Sequence, residues 1–292
     1  MTPARGGAPR NGPSNATSRR KAQVARPQRA ISRRMADIGR RVGLAVALPA
    51  VLVATWWFAS RNSTDFYRPP LPRILAAFRD TWFGPRLVDD VLPSLVRLVV
   101  GYGGALLLGV ALGTAIGASR TLGTVLEPVL EFLRAIPPPV LVPIIILIAG
   151  IGDTMKVLVI VSGCVWPILL NTVQGVRGVD EVLADTCRSY RIRGRRRLGH
   201  LVLRSASPHI VTGARQALSI GIILMVISEM VAASSGLGFT IVQFQRGFAI
   251  PEMWSGVLLL GLIGVLLSLA FRGVERWVLG WYHGVRAVQR ER

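Results

Sequence analysis

Long apolar runs separated by short polar segments dominate the chain. The main runs cover 42–59, 98–119, 157–173, 217–233 and 253–271, with a shorter one over 140–151. About 20 apolar residues are enough to cross a bilayer as an α-helix. The pattern therefore predicts an all-α polytopic membrane protein with six transmembrane helices, of which the run 140–151 is short for a full span.

The polar segments between these runs divide the chain into regions. We predict a disordered basic tail over 1–40, a first transmembrane helix over 41–60, an extracytoplasmic loop with a short helix over 61–93, a core over 94–273 and a second basic tail over 274–292. Within the core, a polar loop over 174–209 separates the fourth span from the fifth.

Positive charge lies at the ends of the chain and in that loop. The chain has 35 Lys and Arg against 15 Asp and Glu, a net charge of +20. Eleven of the basic residues fall in 1–41 and eight in 174–209. Loops on the cytoplasmic side of a membrane are enriched in Lys and Arg, so both termini and the 174–209 loop are predicted to be cytoplasmic. Such segments attract anionic lipid, and their position beside apolar spans argues against nucleic-acid binding.

Small residues recur at every fourth position of the second apolar run. They are Gly101, Ala105, Gly109, Gly113 and Gly117. Small residues at this spacing form a smooth helix face that lets another backbone approach closely. This small-residue stripe predicts tight helix packing, either within the subunit or between two copies.

The 174–209 loop begins with a predicted short helix. Asp180 is placed as its N-cap and Glu181 in its first turn. Leu183, Cys187 and Tyr190 then share one helical face. Two interpretations stay open: this face docks into a groove on a soluble protein, or the loop is a solvated segment whose arginines only fix topology.

Several polar residues near or within the spans are candidates for lining a translocation path. Glu229 either acts in the path or caps the following turn by bonding to Ser234 or Ser235. Ser234 and Ser235 are candidates for the path as well. The remaining candidates either line the path or pack in the core; they are Trp166, Asn171 and Thr172.

Enzymatic chemistry has no support in the residue pattern. Only Lys21 and Lys156 are lysines, and neither follows a phosphate-binding glycine loop. No serine sits in a nucleophile elbow, and no carboxylate pair is spaced for acid–base work. The two cysteines and three histidines lack metal-ligand spacing, so we expect no enzyme, no cofactor and no metal.

Four segments resemble one transporter family. They read PLPRILAAF (70–78), FLRAIPP (132–138), PILLNT (167–172) and SEMVAASSGLG (228–238). These segments resemble the permease subunits of bacterial ABC importers, in the nitrate, taurine and aliphatic-sulfonate branch. The resemblance implies a type I importer permease fold with a cytoplasmic coupling helix between spans four and five. It also implies a homodimer in the bacterial inner membrane that forms a path for a small solute such as a sulfonate, taurine or nitrate. Its expected partners are an extracytoplasmic binding protein that delivers the solute and a separate cytoplasmic ATPase.

The loop departs from the pattern of such permeases. Their Glu-Ala-Ala motif, later glycine and Leu-Pro correspond here to Asp185-Thr186-Cys187, Arg191 and Leu203-Arg204. Arginine resists the positive backbone angle that glycine permits, so Gly194 would supply the turn or the helix would be reshaped. The residues expected to contact an ATPase are Leu183, Asp185, Thr186, Cys187, Tyr190, Arg191 and Gly194. Two alternatives are kept: a degenerate membrane scaffold that does not transport, and a stand-alone secondary transporter, for which the chain shows no inverted repeat.

Overall fold

The structure is a computed structural model that describes residues 47–282. Every regular element within this range is helical, which confirms the predicted all-α class. The predicted tail over 1–40 and residues 283–292 of the second tail lie outside the described residues. The chain divides into two compact units between Thr64 and Asp65, and each is described by itself.

The first unit contains one described helix, α1 (Ala47–Ser60). It is apolar but shorter than the length of about 20 residues that a bilayer requires. The predicted first span starts at residue 41, and 41–46 lie outside the described residues.

The second unit contains ten described helices joined by short helical turns. They are α2 (Leu71–Trp82), α3 (Leu92–Ala118), α4 (Arg120–Ala135), α5 (Val142–Ala149), α6 (Asp153–Arg177), α7 (Glu181–Ser189), α8 (Gly194–Arg197), α9 (Arg204–Val231), α10 (Leu237–Arg246) and α11 (Ile250–Val278). A π-helical turn over Leu87–Val91 leads into α3, and another over Leu198–Leu203 joins α8 to α9.

Four continuous helical stretches of the described chain are long and apolar enough to cross a membrane. They are Leu87–Ala118, Asp153–Arg177, Gly194–Val231 and Ile250–Val278. The α3 helix starts at Leu92, before the apolar run that begins at residue 98, and α11 continues to Val278, five residues into the segment predicted as the second tail. Arg97, the charged residue just before the run over 98–119, is part of α3.

The small-residue stripe packs α3 against α6 of the same chain. Cβ atoms built on Gly101, Gly109, Gly113 and Gly117 would lie 2.7–2.8 Å from side-chain atoms of Ile160, Ile168, Thr172 and Val176. Each of these pairs is 59 positions apart, so α3 and α6 run parallel with their residues in register. Contacts this close are open only to glycine, which explains the pattern and places the stripe within the subunit.

The α9 helix runs antiparallel to α6 and contacts α3 as well. Gly163 of α6 lies under Leu224 near the end of α9, whereas Gly175 lies under Ala206 near its start. The core between α3, α6 and α9 is apolar and includes Ile160 and Met225, both fully buried.

The α4 and α5 helices form a bent pair. A Pro-rich turn over Pro138–Leu141 separates them, and the pair is bent by 83°. The α4 helix ends at Ala135, just before these prolines, because a proline disfavours helical conformation in the residue that precedes it. Since α3 and α6 are parallel, the chain between them must return along their whole length. The bent pair can therefore be counted as a fifth span.

Candidate functional site

The candidate residues fall at the two ends of the bundle. The α7 helix precedes the start of α9, and Glu229 lies near the end of α9. A helix rises about 1.5 Å per residue, so these two places are roughly 40 Å apart along the bundle. They are described separately below.

The α7 helix is capped as the sequence predicts. The Asp180 carboxylate accepts a hydrogen bond from the backbone N–H of Leu183 at 3.1 Å, which satisfies one of the free donors of the first turn. Arg188 pairs with Asp185 at 2.8 Å on the solvent side of the helix. Thr186 bonds back to the carbonyl of Val182 at 2.7 Å. Asp185 and Thr186 thus bond within their own helix.

The end of α7 keeps a glycine-type turn although arginine occupies the position. Arg191 has a φ of +52°. The N–H of Ile192 donates to the carbonyl of Cys187 at 2.9 Å, and the N–H of Arg191 donates to the carbonyl of Arg188 at 3.0 Å. These two bonds define a Schellman cap, whose left-handed residue is usually glycine. The expected transfer of the turn to Gly194 is therefore wrong: Gly194 (φ +59°) makes a second turn, and Arg191 retains the first.

Apolar side chains of α7 remain open to solvent. Tyr190 is 77% exposed, and Val182 and Leu183 are exposed as well. Cys187 is half-buried. The structure therefore brings the predicted face together on a short, capped helix, with its largest residues uncovered.

A buried ion network surrounds Glu229 at the other end of the bundle. The Glu229 side chain is 0% exposed and pairs with Arg97 of α3 at 2.8 Å. The Ser94 hydroxyl lies 2.7 and 2.9 Å from its two carboxylate oxygens. The N–H of Gly238 donates to the same carboxylate at 3.0 Å. A carboxylate is stable without water only when it is paired in this way.

Arg97 and Lys156 meet on a second carboxylate. Arg97 donates to Asp153 at 2.8 Å and Lys156 donates to the same oxygen at 3.3 Å. The Arg97 and Lys156 side chains are 6% and 5% exposed, whereas Asp153 is 71% exposed. Asp153 thus pairs with both buried cations from the surface, and together with Glu229 it balances their two charges. It also ties the start of α6 to the start of α3.

The glycines after α9 are explained by the Glu229 carboxylate. Gly236 has a φ of +120°, and a Cβ there would lie 2.5 Å from the carboxylate. A Cβ on Gly238 would lie 2.5 Å from the Val226 carbonyl. Both positions therefore require glycine so that the turn can close over the acid.

Glu229 has different partners from those predicted. Ser234 is exposed, and Ser235 bonds to Arg97 rather than to Glu229, through its carbonyl and hydroxyl oxygens at 3.1 Å each. The structural interpretation of Glu229 fits this geometry, because the carboxylate is enclosed in the ion network and reaches no solvent.

The other path candidates differ in how deeply they are buried. Thr172 is fully buried against the small-residue stripe and bonds to the Ile168 carbonyl, so it packs in the core and lines no path in this conformation. Asn171 is half-buried, and its amide donates to the Pro167 carbonyl at 2.8 Å. Trp166 is half-buried too. These two remain candidates.

Sequence reasoning missed Ser94, Arg97, Asp153 and Lys156 as members of the ion network. A signal was present: Arg97 is the only charged residue of α3. A cation in an apolar helix requires a counter-ion, and Glu229 is the only acid of α9. The described residues include no cluster of three His, Cys, Asp or Glu side chains that could hold a metal.

Comparison with known families decides what this architecture is. Residues 105–280 match the family of binding-protein-dependent transport system inner membrane components. The chain belongs to this family. It is therefore the membrane permease component of an ABC importer, a transport family rather than an enzyme family, as the resemblance of the four segments implied.

Individual relatives agree with this assignment. The chain is 29% identical over 257 residues to the taurine transport system permease protein TauC of Escherichia coli (strain K12), covering 85% of this chain and 93% of that protein. It is 28% identical over 236 residues to the putative aliphatic sulfonates transport permease protein SsuC of Bacillus subtilis (strain 168), covering 80% and 86%.

A solved structure shares the fold. The MetNI methionine ABC transporter in an inward-facing conformation aligns with a TM-score of 0.57 at 21% identity, covering 66% of this chain and 95% of that chain. The expected type I importer permease fold is thereby confirmed.

Proposed function

We propose that two copies of this permease form a translocation path for a small anionic solute, with a separate ATPase docked on α7 of each copy. The observation that carries this proposal is the capped α7 helix with Val182, Leu183 and Tyr190 uncovered. An exposed apolar face on a short helix suits a hydrophobic groove on a soluble domain, with the charged residues left at the rim.

The retained turn at Arg191 supports coupling to an ATPase. Loss of the glycine was the main reason to consider a degenerate scaffold. The backbone nevertheless keeps the left-handed conformation and both cap bonds. The end of α7 therefore has the backbone conformation that the glycine would have given it. This geometry removes the main argument for the scaffold interpretation.

The names of the relatives support a solute class. A taurine permease and a putative aliphatic-sulfonate permease are both similar to this chain over at least 80% of its length. Both named solutes carry a sulfonate group, so we take a sulfonate or a similar small anion as the solute. An extracytoplasmic binding protein would deliver it to the end of the bundle that carries Glu229.

The positive-inside rule gives the orientation of the complex. The arginine-rich loop between α6 and α9 would face the cytoplasm, together with both termini, in a bacterial inner membrane. In intact cells, a cysteine at Arg195 in a Cys-free background should react with an impermeant maleimide only after permeabilisation.

The decisive experiment changes the exposed face of α7. Leu183→Asp and Tyr190→Asp should each abolish uptake and co-purification of the ATPase, because central apolar anchors dominate such interfaces. Insertion of the subunit and its dimerisation should be unchanged. Arg195→Ala, an exposed rim change in the same loop, is the matched control and should retain both activities.

Retention of uptake and of bound ATPase by Tyr190→Asp would show that α7 is not the docking helix. Loss of ATPase binding in the control variant as well would mean that general charge, rather than the apolar face, holds the ATPase.

A further inference from the structure

An arginine-lined cavity lies between α7 and the neighbouring ends of α3, α4 and α6. It has a volume of about 830 Å³ and is bounded by the ends of α3 and α6, by α4 and by the loop. Four arginines line it: Arg120, Arg177, Arg188 and Arg197. The acids in its wall are Glu127 and Glu181, so the lining carries a net positive charge of two.

Three of these arginines have no carboxylate partner in the described part of the chain. Arg188 is paired with Asp185, whereas Arg120, Arg177 and Arg197 form no ion pair within residues 47–282. The Arg177 guanidinium lies directly over Gly123 of α4, where a Cβ would collide with it. Unpaired guanidinium groups that converge on one cavity favour an anion with several acceptor oxygens.

An apolar groove continues from this cavity along α3. It has a volume of about 600 Å³, and its wall includes Leu107, Val110 and Ala111 of α3 and Leu203 of the loop. Ala118 and Leu198 line both the groove and the cavity, so the two spaces adjoin. The groove runs beside a membrane-spanning helix, and the cavity lies at that helix's end.

We propose that the cavity and groove together bind one anionic phospholipid, with its phosphate among Arg120, Arg177 and Arg197 and an acyl chain along Leu107 and Ala111. The argument is the match of charge and polarity: a basic chamber that adjoins an apolar groove fits a molecule with an anionic head and a hydrocarbon tail. Basic pockets at the cytoplasmic ends of membrane helices bind such headgroups.

This site places a lipid against the helix that we propose as the ATPase contact. Glu181, Ala184 and Arg188 of α7 line the cavity. The exposed residues Val182, Leu183 and Tyr190 lie outside it. The lipid would thus support α7 from behind without covering the apolar face.

The experiment measures lipid retention by the purified full-length subunit. Native mass spectrometry and thermal unfolding in detergent are compared for added phosphatidylglycerol and phosphatidylcholine with identical chains. We expect phosphatidylglycerol alone to remain bound and to raise the Tm. Because each basic residue contributes roughly fivefold to affinity for an anionic surface, the double variant Arg120→Gln/Arg177→Gln should bind about 25-fold more weakly.

Two controls separate the site from general effects. Arg193→Gln/Arg195→Gln removes the same amount of charge from the 174–209 loop outside the cavity and should change affinity less than twofold. Ala111→Phe fills the groove and should weaken lipid binding, whereas Leu112→Phe, on an exposed part of α3 outside the groove, should not. The Tm of each variant without added lipid verifies that it is folded.

Three outcomes would overturn the proposal. Equal loss in the two arginine pairs would indicate non-specific charge. Binding of glycerol 3-phosphate as tight as the lipid, with no effect of Ala111→Phe, would indicate a soluble anion site. A disulfide between two copies formed through a cysteine at Leu107 would show that protein covers the groove. The readout is lipid binding, so failure here leaves the proposed transport function untouched.

Discussion

The two ends of the helix bundle differ in whether their charged side chains are buried and paired or exposed. Around Glu229, every described charge has a partner, and two of the cations are almost completely buried. In the loop after α7, Arg191, Arg193 and Arg195 are exposed and form no ion pair with any residue of 47–282. A buried charge must be neutralised within the fold, whereas an exposed one remains available to a partner or a lipid. The first end holds the helices together, and the second is left for binding.

The largest effect should come from breaking the buried pair. Arg97→Met leaves Glu229 without its cation and should destabilise the fold by about 3–5 kcal/mol. Arg188→Ala, which breaks the exposed pair with Asp185, should cost at most about 0.5 kcal/mol. Unfolding in a graded denaturing detergent measures both.

A double variant sharpens this comparison. Arg97→Met combined with Glu229→Leu should cost less than the sum of the single changes, because no uncompensated charge remains. Equal costs for Arg97→Met and Arg188→Ala would contradict the distinction between the two ends.

An intermediate effect is expected in the small-residue stripe. Gly109→Ala places a Cβ 2.8 Å from Ile168 and should cost about 1–3 kcal/mol through displacement of α6. Gly103, on the same helix, has open space around it. Gly103→Ala should therefore stabilise the helix by about 0.5–1 kcal/mol, an effect of opposite sign in the same unfolding assay. Destabilisation by both changes to the same extent would mean that the stripe does not pack as described.

The smallest effect concerns the end of α7. Arg191→Gly removes the penalty of a left-handed arginine and should stabilise the cap by about 1 kcal/mol. Hydrogen exchange at the Ile192 amide, which bonds to Cys187, should slow about fivefold. As a control, Arg193→Gly changes a residue that has ordinary extended φ and should not slow exchange. Faster exchange in Arg191→Gly would show that the arginine side chain itself holds the turn.

Local patterns made most of the fold predictable. The apolar runs located α3, α6, α9 and α11, because about 20 apolar residues have few stable alternatives to a spanning helix. The Asp180 cap was predictable because a helix cap involves only residues that are close in sequence.

Long-range pairing made the rest unpredictable. Arg97 lies 56 positions before Asp153 and 132 positions before Glu229 in the chain. No local sequence pattern links these residues. The left-handed turn at Arg191 was unpredictable for another reason. The preference of arginine against this conformation is only about 1–2 kcal/mol, and two cap hydrogen bonds and the surrounding helices can outweigh it.

The constant offset between α3 and α6 has a consequence for how this chain can vary in length. Their alignment is fixed by facing residues, such as Gly101 with Ile160 and Gly117 with Val176, and not by the connection between them. Insertions in the α4–α5 turn would therefore leave the pairing intact. One residue inserted midway along α3 would rotate half of the stripe by about 100° and present branched side chains to α6. Length variation among relatives should accumulate in the connection and be absent from both helices.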